Sequence, residues 1–276
     1  PMAYQILPHK CPARGLQRIA TEQVTYALDA AKNQQADTAT HQIRKNCKKI
    51  RALLRLIQKS DDHTRHWYPL ENAHYRQIAH TLSGSRDAIA LRDALRNLPD
   101  ANQYPETLAY LEARARQQAD PQALDSAMAL LQQGANRIAN WPLRAVDGTA
   151  ITAGYRRSYR RARKAMSQAS GTSSAELFHG YRKRVKDQWY HTRLLQKKFP
   201  QALNTRRAPL KGLAQALGDW RDLTLLRRSL ARQGTHFGGE LIPLLDAIEK
   251  QRSALYRQIE QLGQELFAAK NIKLGH

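Results

Sequence analysis

Apolar residues recur at three- and four-residue intervals through most of the chain, and the alternating Val, Ile and Thr runs that mark strands are nearly absent. The pattern predicts an all-α protein. Helices are expected near 13–34, 38–59, 66–82, 85–97, 105–118 and 121–139, then 151–169, 173–199, 202–217, 219–233 and 239–269. Pro99 and Pro105 punctuate one connection and Gly134 and Pro142 another, while Asp147-Gly148 marks a turn near the midpoint of the 276 residues.

Two blocks recur in the same order on either side of that turn. Displaced by 138 positions, His41, Arg44, Lys45, Lys48, Arg55, Leu56, Gln58 and Lys59 fall on His179, Arg182, Lys183, Lys186, Arg193, Leu194, Gln196 and Lys197. Displaced by 135, Leu82, Arg86, Asp87, Leu91, Arg92 and Leu95 fall on Leu217, Arg221, Asp222, Leu226, Arg227 and Leu230. A weaker match sets Gly15 and Arg18 over Gly154 and Arg157. The expected organisation is two tandem helical bundles, 1–145 and 146–276, built on one plan as an internal pseudo-twofold repeat.

The histidine helices divide their surface by chemistry. At about 100° per residue, His41, Arg44, Lys48, Arg51 and Arg55 fall within about 80° of one another. Ile43, Ile50, Leu53, Leu54 and Ile57 gather on the opposite side, with Cys47 at their edge. In the second half His179, Arg182, Lys186, Arg193 and Lys197 form the row, and Tyr181, Val185, Thr192 and Leu195 lie across the helix. Trp189 stands where Arg51 stood, and His191 falls away from the row, where no ligand contact is expected. Between His41 and Lys59 there is no acidic residue, so the first row lacks the i,i+4 carboxylates that normally accompany exposed lysines.

Charge sharpens this reading. The chain carries 45 Lys and Arg against 23 Asp and Glu, a net +22, with a pI near 10.4. A polyanionic partner is the expectation. Arg157, Arg160, Arg161 and Lys164 share a face of a further helix that could extend the same surface, with Arg18 as the first-half counterpart beside Glu22 and Gln23. The Arg86-Asp87 and Arg221-Asp222 pairs each follow a glycine, where a helix should begin. Either the Asp stabilises a first turn, or it steadies Arg86 and Arg221 in an anion site. Only two cysteines, Cys11 and Cys47, are present, which excludes a disulfide scaffold and a Cys-rich zinc site. His63, His66, His74 and His80 read as surface histidines, and no metal site is expected. No apolar run approaches the length of a membrane span, the first residues lack a secretory h-region, and the cytosol is the expected compartment.

The paired His-x-x-Arg-x-x-x-Lys blocks at His41 and His179, each followed by an Arg-Asp block, resemble the CHAD domain, an α-helical domain named for its characteristic histidines. The resemblance spans nearly the whole chain. It implies two four-helix bundles about a pseudo-twofold axis, with a basic central groove or pore that binds inorganic polyphosphate. Carried onto this sequence it implies a lining of His41, Arg44, Lys45, Lys48, Arg51 and Arg55 with His179, Arg182, Lys183, Lys186, Arg193 and Lys197. Arg18, Arg86, Arg157, Arg160, Arg161 and Arg221 are further candidates. The alternating Glu-x-Glu-x-Lys motif of a triphosphate-tunnel domain does not occur, so the binding module alone is implied, without catalysis or cofactor, and with polyphosphate granules as an expected location.

Elementary chemistry agrees: arginine forks, lysine point charges and protonated histidines suit a polymer of phosphates without bases. A bound polyanion would raise the pKa of His41 and His179 and strengthen binding as pH falls toward 6. Three other readings compete. Nucleic-acid binding draws on the same charge, with Trp189, Tyr155 and Tyr159 as stacking candidates, against the lack of C2H2, RRM or KH signatures. An enzyme acting on phosphate chains would use His41 or His179, yet neither a carboxylate pair for Mg²⁺ nor a Gly-x-x-x-x-Gly-Lys loop is evident. Attachment to an anionic membrane surface ranks last, because the apolar faces are needed for packing. Groove against pore, preferred chain length and oligomeric state stay open.

Overall fold

The computed structural model describes residues 4–83, 86–116, 121–233 and 237–275, the side chains of Arg86, Asp87 and Pro121 excepted. The described residues form helices and no strand: α1 (Pro12–Asn33), α2 (Ala36–Ile57), α3 (Asp62–Thr81), α4 (Arg86–Arg96), α5 (Pro105–Arg116) and α6 (Pro121–Ile138), then α7 (Gly148–Ala169), α8 (Ala175–Leu195), α9 (Pro200–Leu203), α10 (Arg207–Arg232) and α11 (Leu241–Phe267).

Local chemistry sets several starts. Pro12 opens α1, where its missing N–H costs no hydrogen bond. Asp61 accepts from the backbone N–H of Thr64 at 2.7 Å to cap α3, and Asp147 accepts from that of Ala150 at 2.8 Å to cap α7. The midpoint turn is therefore the cap of a helix. Ser174 receives the N–H of Leu177 at 3.3 Å and begins α8.

Two buried clusters hold the helices together. The first takes Leu16, Ile19 and Val24 of α1, Ile43, Ile50 and Leu54 of α2, Tyr75 and Ile78 of α3, and Ala127 and Leu131 of α6. The second takes Phe178, Tyr181 and Val185 of α8, Leu213, Leu217 and Leu226 of α10, and Ile248 and Ile259 of α11. Leu91 and Leu95 of α4 and Leu111 of α5 join this second cluster, although α3 and α6 on either side of them in the chain pack in the first. α7 serves both, with Tyr155 in the first cluster and Tyr159 in the second.

The helix boundaries expected near 217–219 and 199 are corrected. α10 runs unbroken through Gly218, which is buried; a Cβ there would come within 3.4 Å of the Arg182 guanidinium. This glycine makes room for an arginine, and the roughly 1 kcal/mol it costs a helix is small against the packing around it. Arg221 and Asp222 consequently stand in mid-helix, not in a first turn. Arg86, their match, does begin a helix. α8 stops at Leu195, and α9 starts at Pro200.

Candidate functional site

α2 and α8 cross in contact with each other, and a cleft of about 620 Å³ opens beside them. α2 contributes His41, Arg44, Lys45 and Lys48, α8 contributes Lys186, Trp189 and Tyr190, and α4 adds Arg92. The apolar side of α2 fixes this presentation, because Ile43, Cys47 and Ile50 are completely buried and turn the alternate positions outward. Burial and apolar surroundings push the Cys47 thiol up to about 12, so it remains an inert core group.

Lys186 lies 5.2 Å from the Trp189 ring and the Arg193 guanidinium 5.0 Å from it, so one indole is flanked by two cations of its own helix. The aromatic face attracts both without neutralising either. The tryptophan thus keeps charge near the cleft at the position where it replaces the arginine of the first row. Arg44 donates to the carbonyl of Ala79 and also lines a smaller adjoining hollow with Arg76 and His80.

Beside the cleft, at the start of α8, His179, Arg182 and Lys183 share electrostatic reach with Arg221 of α10. Burial first, then Lys183, Arg221 and Arg182, hold the imidazole below its ordinary value, which favours the neutral form of His179. Its Nδ1 is buried with no hydrogen-bond partner among the described residues.

Carboxylates also reach the cleft, which the acid-free row on α2 did not foretell. Asp37, Asp93, Asp219 and Asp222 line it with the five cations Arg44, Lys45, Lys48, Arg92 and Lys186, among the described residues. Arg92 binds Asp93 at 2.7 Å and Arg221 binds Asp222 at 2.8 Å. Asp219 accepts from Gln215 at 2.8 Å, and burial, with Asp222 nearby, raises its carboxyl above the usual range against the pull of Arg182. The cleft is a mixed-charge surface with arginines oriented by acids.

Several expected site residues do other work. Arg55 is paired with Asp187 of α8 at 2.7 Å, and Arg51 donates to Asn72 of α3 at 3.1 Å. Arg193 packs over the Tyr4 and Trp189 rings. Arg18 pairs with Glu22 and donates to the carbonyl of Gln5 at 2.9 Å. Arg157 donates to the carbonyl of Leu56 at 3.0 Å, near the far end of α2 from His41, and neither it nor Arg160 nor Arg161 lines the cleft. Lys197 is exposed beyond the end of α8, and the Arg86 side chain lies outside the described residues. Tyr155 and Tyr159 are buried, which removes them as stacking surfaces.

Arg92 and Arg76 were missed as site residues. Arg92 had a visible signal, its coincidence with Arg227 in the repeat; Arg76 had none. Among the described residues no three His, Cys, Asp or Glu side chains stand together as a metal site, and no helix is long and apolar enough to cross a membrane.

A family model described as the CHAD domain matches residues 18–231. The crystal structure of the CHAD domain from the plant Ricinus communis superposes with a TM-score of 0.69, at 16% sequence identity, over 99% of this chain and 98% of that one. At that identity the likeness establishes a shared fold. Among curated proteins, none matches the chain.

Proposed function

Because the chain belongs to the CHAD domain family, we propose that it binds inorganic polyphosphate, without catalysis, in the cleft beside the α2–α8 crossing. The observation that carries this reading is the convergence of His41, Arg44, Lys45 and Lys48 with Arg92 and Lys186 on one cleft, from three helices well separated in the chain. A chain of phosphates needs many donors and no base-reading groups, and this cleft offers the guanidinium forks of Arg44 and Arg92, the ammonium groups of Lys45, Lys48 and Lys186, and the His41 imidazole. The His179, Arg182, Lys183 and Arg221 group continues the positive surface at its edge. The internal repeat in the sequence belongs to the same reading, with α2 and α8 as the matched helices, which pack against each other.

The acids have a use in this scheme. Asp93 and Asp222 hold Arg92 and Arg221 in one orientation, which lowers the ordering cost when a phosphate arrives. They also set a threshold: a monoanion gains little over four resident carboxylates, whereas a polymer engages many cations at once.

The test is a titration with polyphosphates of graded length alongside single-stranded DNA at physiological salt. Affinity should rise with chain length. The triple variant Arg44→Ala, Lys48→Ala and Lys186→Ala should lose about a hundredfold with helicity intact, the sum of several charge-assisted contacts. DNA displacing long-chain polyphosphate at equal phosphate concentration would transfer the cleft to nucleic acid. Release of orthophosphate, with or without Mg²⁺, would make the protein an enzyme.

A further inference from the structure

A row of cations without carboxylate partners, among the described residues, lies on α7, outside the cleft lining. Arg156, Arg157, Arg160, Arg161 and Lys164 occupy one side of that helix, and no Asp or Glu occurs anywhere between Gly148 and Ala169. Arg156, Arg160 and Lys164 are exposed, and Arg157 and Arg161 half-buried. Among the described residues no ion pair joins any of the five to a carboxylate. The cleft, by contrast, brings four carboxylates to its five cations. On α7 the cations are close enough to act on one another: burial first, then Arg161 and Arg160, press the Arg157 guanidinium below its ordinary value.

The two surfaces are distinct. α7 meets α2 at its C-terminal end, where Gly154 lies against the carbonyl of Leu56 and Arg157 donates to that same oxygen. The cleft is lined by residues 37–48 of α2, and no α7 residue takes part in it. Arg156, Arg160 and Lys164 follow one another at about 6 Å per step along the helix, with Arg157 and Arg161 as a parallel row. The aromatic side chains of α7 face the cores, so this face can address phosphates and offers nothing on which a base could stack.

We propose that the outer face of α7 is a second polyphosphate site, so that one molecule holds two polyphosphate segments and bridges long chains into a network. The proposal rests on the polyphosphate reading of the cleft and extends it from binding to cross-linking. Two sites on separate surfaces give bivalency, and long polymers with several such molecules along them condense at matched stoichiometry and redissolve in excess polymer.

Calorimetry with a short polyphosphate and light scattering with a long one test it. The wild-type protein should take up two equivalents of short chain. Arg156→Gln, Arg160→Gln and Lys164→Gln together, at solvent-facing positions that tolerate glutamine in a helix, should leave one equivalent, abolish scattering with long chains, and lower the log–log salt slope by about two. The cleft variant Lys48→Gln with Lys186→Gln should also leave one, the α7 site. Circular dichroism reports folding, and the double variant Arg156→Gln with Arg160→Gln replaces the triple if helicity falls. Two equivalents retained by the α7 variant would overturn the proposal and leave the cleft assignment standing. Loss of all binding in the α7 variant, with none lost in the cleft variant, would overturn the cleft assignment instead. If duplex DNA displaced polyphosphate from the cleft variant at equal phosphate concentration, the α7 face would be a nucleic-acid backbone site and the proposal would fail.

Discussion

Arg55 Nε donates to Asp187 Oδ1 at 2.7 Å across the crossing of α2 and α8. The match of Arg55 in the second half, Arg193, meets no such acid among the described residues. It lies 5.5 Å from the Tyr4 ring, which also carries Lys49 at 5.5 Å, and burial together with Arg193 lowers the Lys49 ammonium to about 8. The Tyr4 hydroxyl donates to the carbonyl of Lys49 at 2.8 Å, and Ile6 N–H donates to the carbonyl of Leu194 at 2.8 Å. One side of the crossing is closed by an ion pair, the other by the N-terminal segment laid between two cations.

Arg55 is therefore a structural tie, and its loss should be felt in stability. The Asp187 side chain is 8% exposed, so removing Arg55 leaves a largely buried carboxylate with only the longer contact to Arg184, at 3.6 Å, as an ion pair among the described residues. Arg55→Ala should lower unfolding stability by about 3 kcal/mol in urea titration. Arg55→Met combined with Asp187→Leu should recover most of that loss. Polyphosphate affinity, measured on folded protein, should change far less than with Arg44→Ala. A collapse of affinity without loss of stability would return Arg55 to the binding surface.

Gly15 and Gly154 match in the repeat but meet different neighbours. A Cβ on Gly154 would come within 2.0 Å of the Leu56 carbonyl oxygen, a backbone atom that cannot move aside, whereas one on Gly15 would sit 3.7 Å from the Ile6 side chain. Gly154→Ala should therefore cost about 3 kcal/mol or prevent folding. Gly15→Ala should be neutral or add about 0.5 kcal/mol through helix propensity. Thermal melting of both checks this, and equal effects would mean that α7 does not approach α2 as closely as described.

The helical architecture was legible because apolar spacing on α2, with Ile43, Ile50 and Leu54 facing inward, is a property of one helix read alone. The cleft was legible in part for the same reason: Arg44 and Lys48 share a face opposite that apolar side. What α2 could not reveal was which neighbours would meet that face. Asp187 lies 132 positions from Arg55, and Asp93 and Asp219 come from other helices, so the absence of acids within His41 to Lys59 said nothing of acids in space. Gly218 misled for a related reason. A glycine reads as a break until the arginine occupying its missing Cβ is known. The arginines of α7 looked continuous with the cleft because charge has no direction in a sequence.

Binding at the cleft should consume protons, by way of a histidine whose neutral form the unliganded protein favours. In the unliganded protein His179 is held below its ordinary value by burial, by Lys183 and Arg182 on its own helix and by Arg221 on α10. A polyanion that offsets these cations raises the imidazole pKa in the complex. Affinity should then grow as pH falls from the bound-state value and level off below the lowered unliganded one. Asp219 adds the same sign at lower pH, since its raised carboxyl, once protonated, no longer repels phosphate. Calorimetry at pH 6 in buffers of unlike ionisation enthalpy should show proton uptake, reduced in His179→Gln. Equal heats in every buffer would exclude the coupling.

A second histidine should govern acid stability. His191 is completely buried where α8 meets α2 and α7. Its Nε2 lies 2.7 Å from the carbonyl of Ala52, which can only accept, so Nε2 carries the proton and Nδ1 accepts from the Ser158 hydroxyl at 2.9 Å. Burial lowers its pKa to about 4, overriding the opposing pull of Asp187. In the unfolded chain the imidazole takes up a proton near its ordinary value of 6.5, while the folded protein refuses it until about 4. Folding stability is therefore unaffected above pH 6.5 and falls between there and pH 4 by about 1.4 kcal/mol per pH unit, approaching about 3 kcal/mol in all. His191→Gln keeps a donor for Ala52 and does not titrate. Its deficit in urea stability relative to the wild type at pH 7 should shrink by about 2 kcal/mol at pH 4.5. Parallel losses in the two proteins over that range would mean that His191 is not the group that acid attacks.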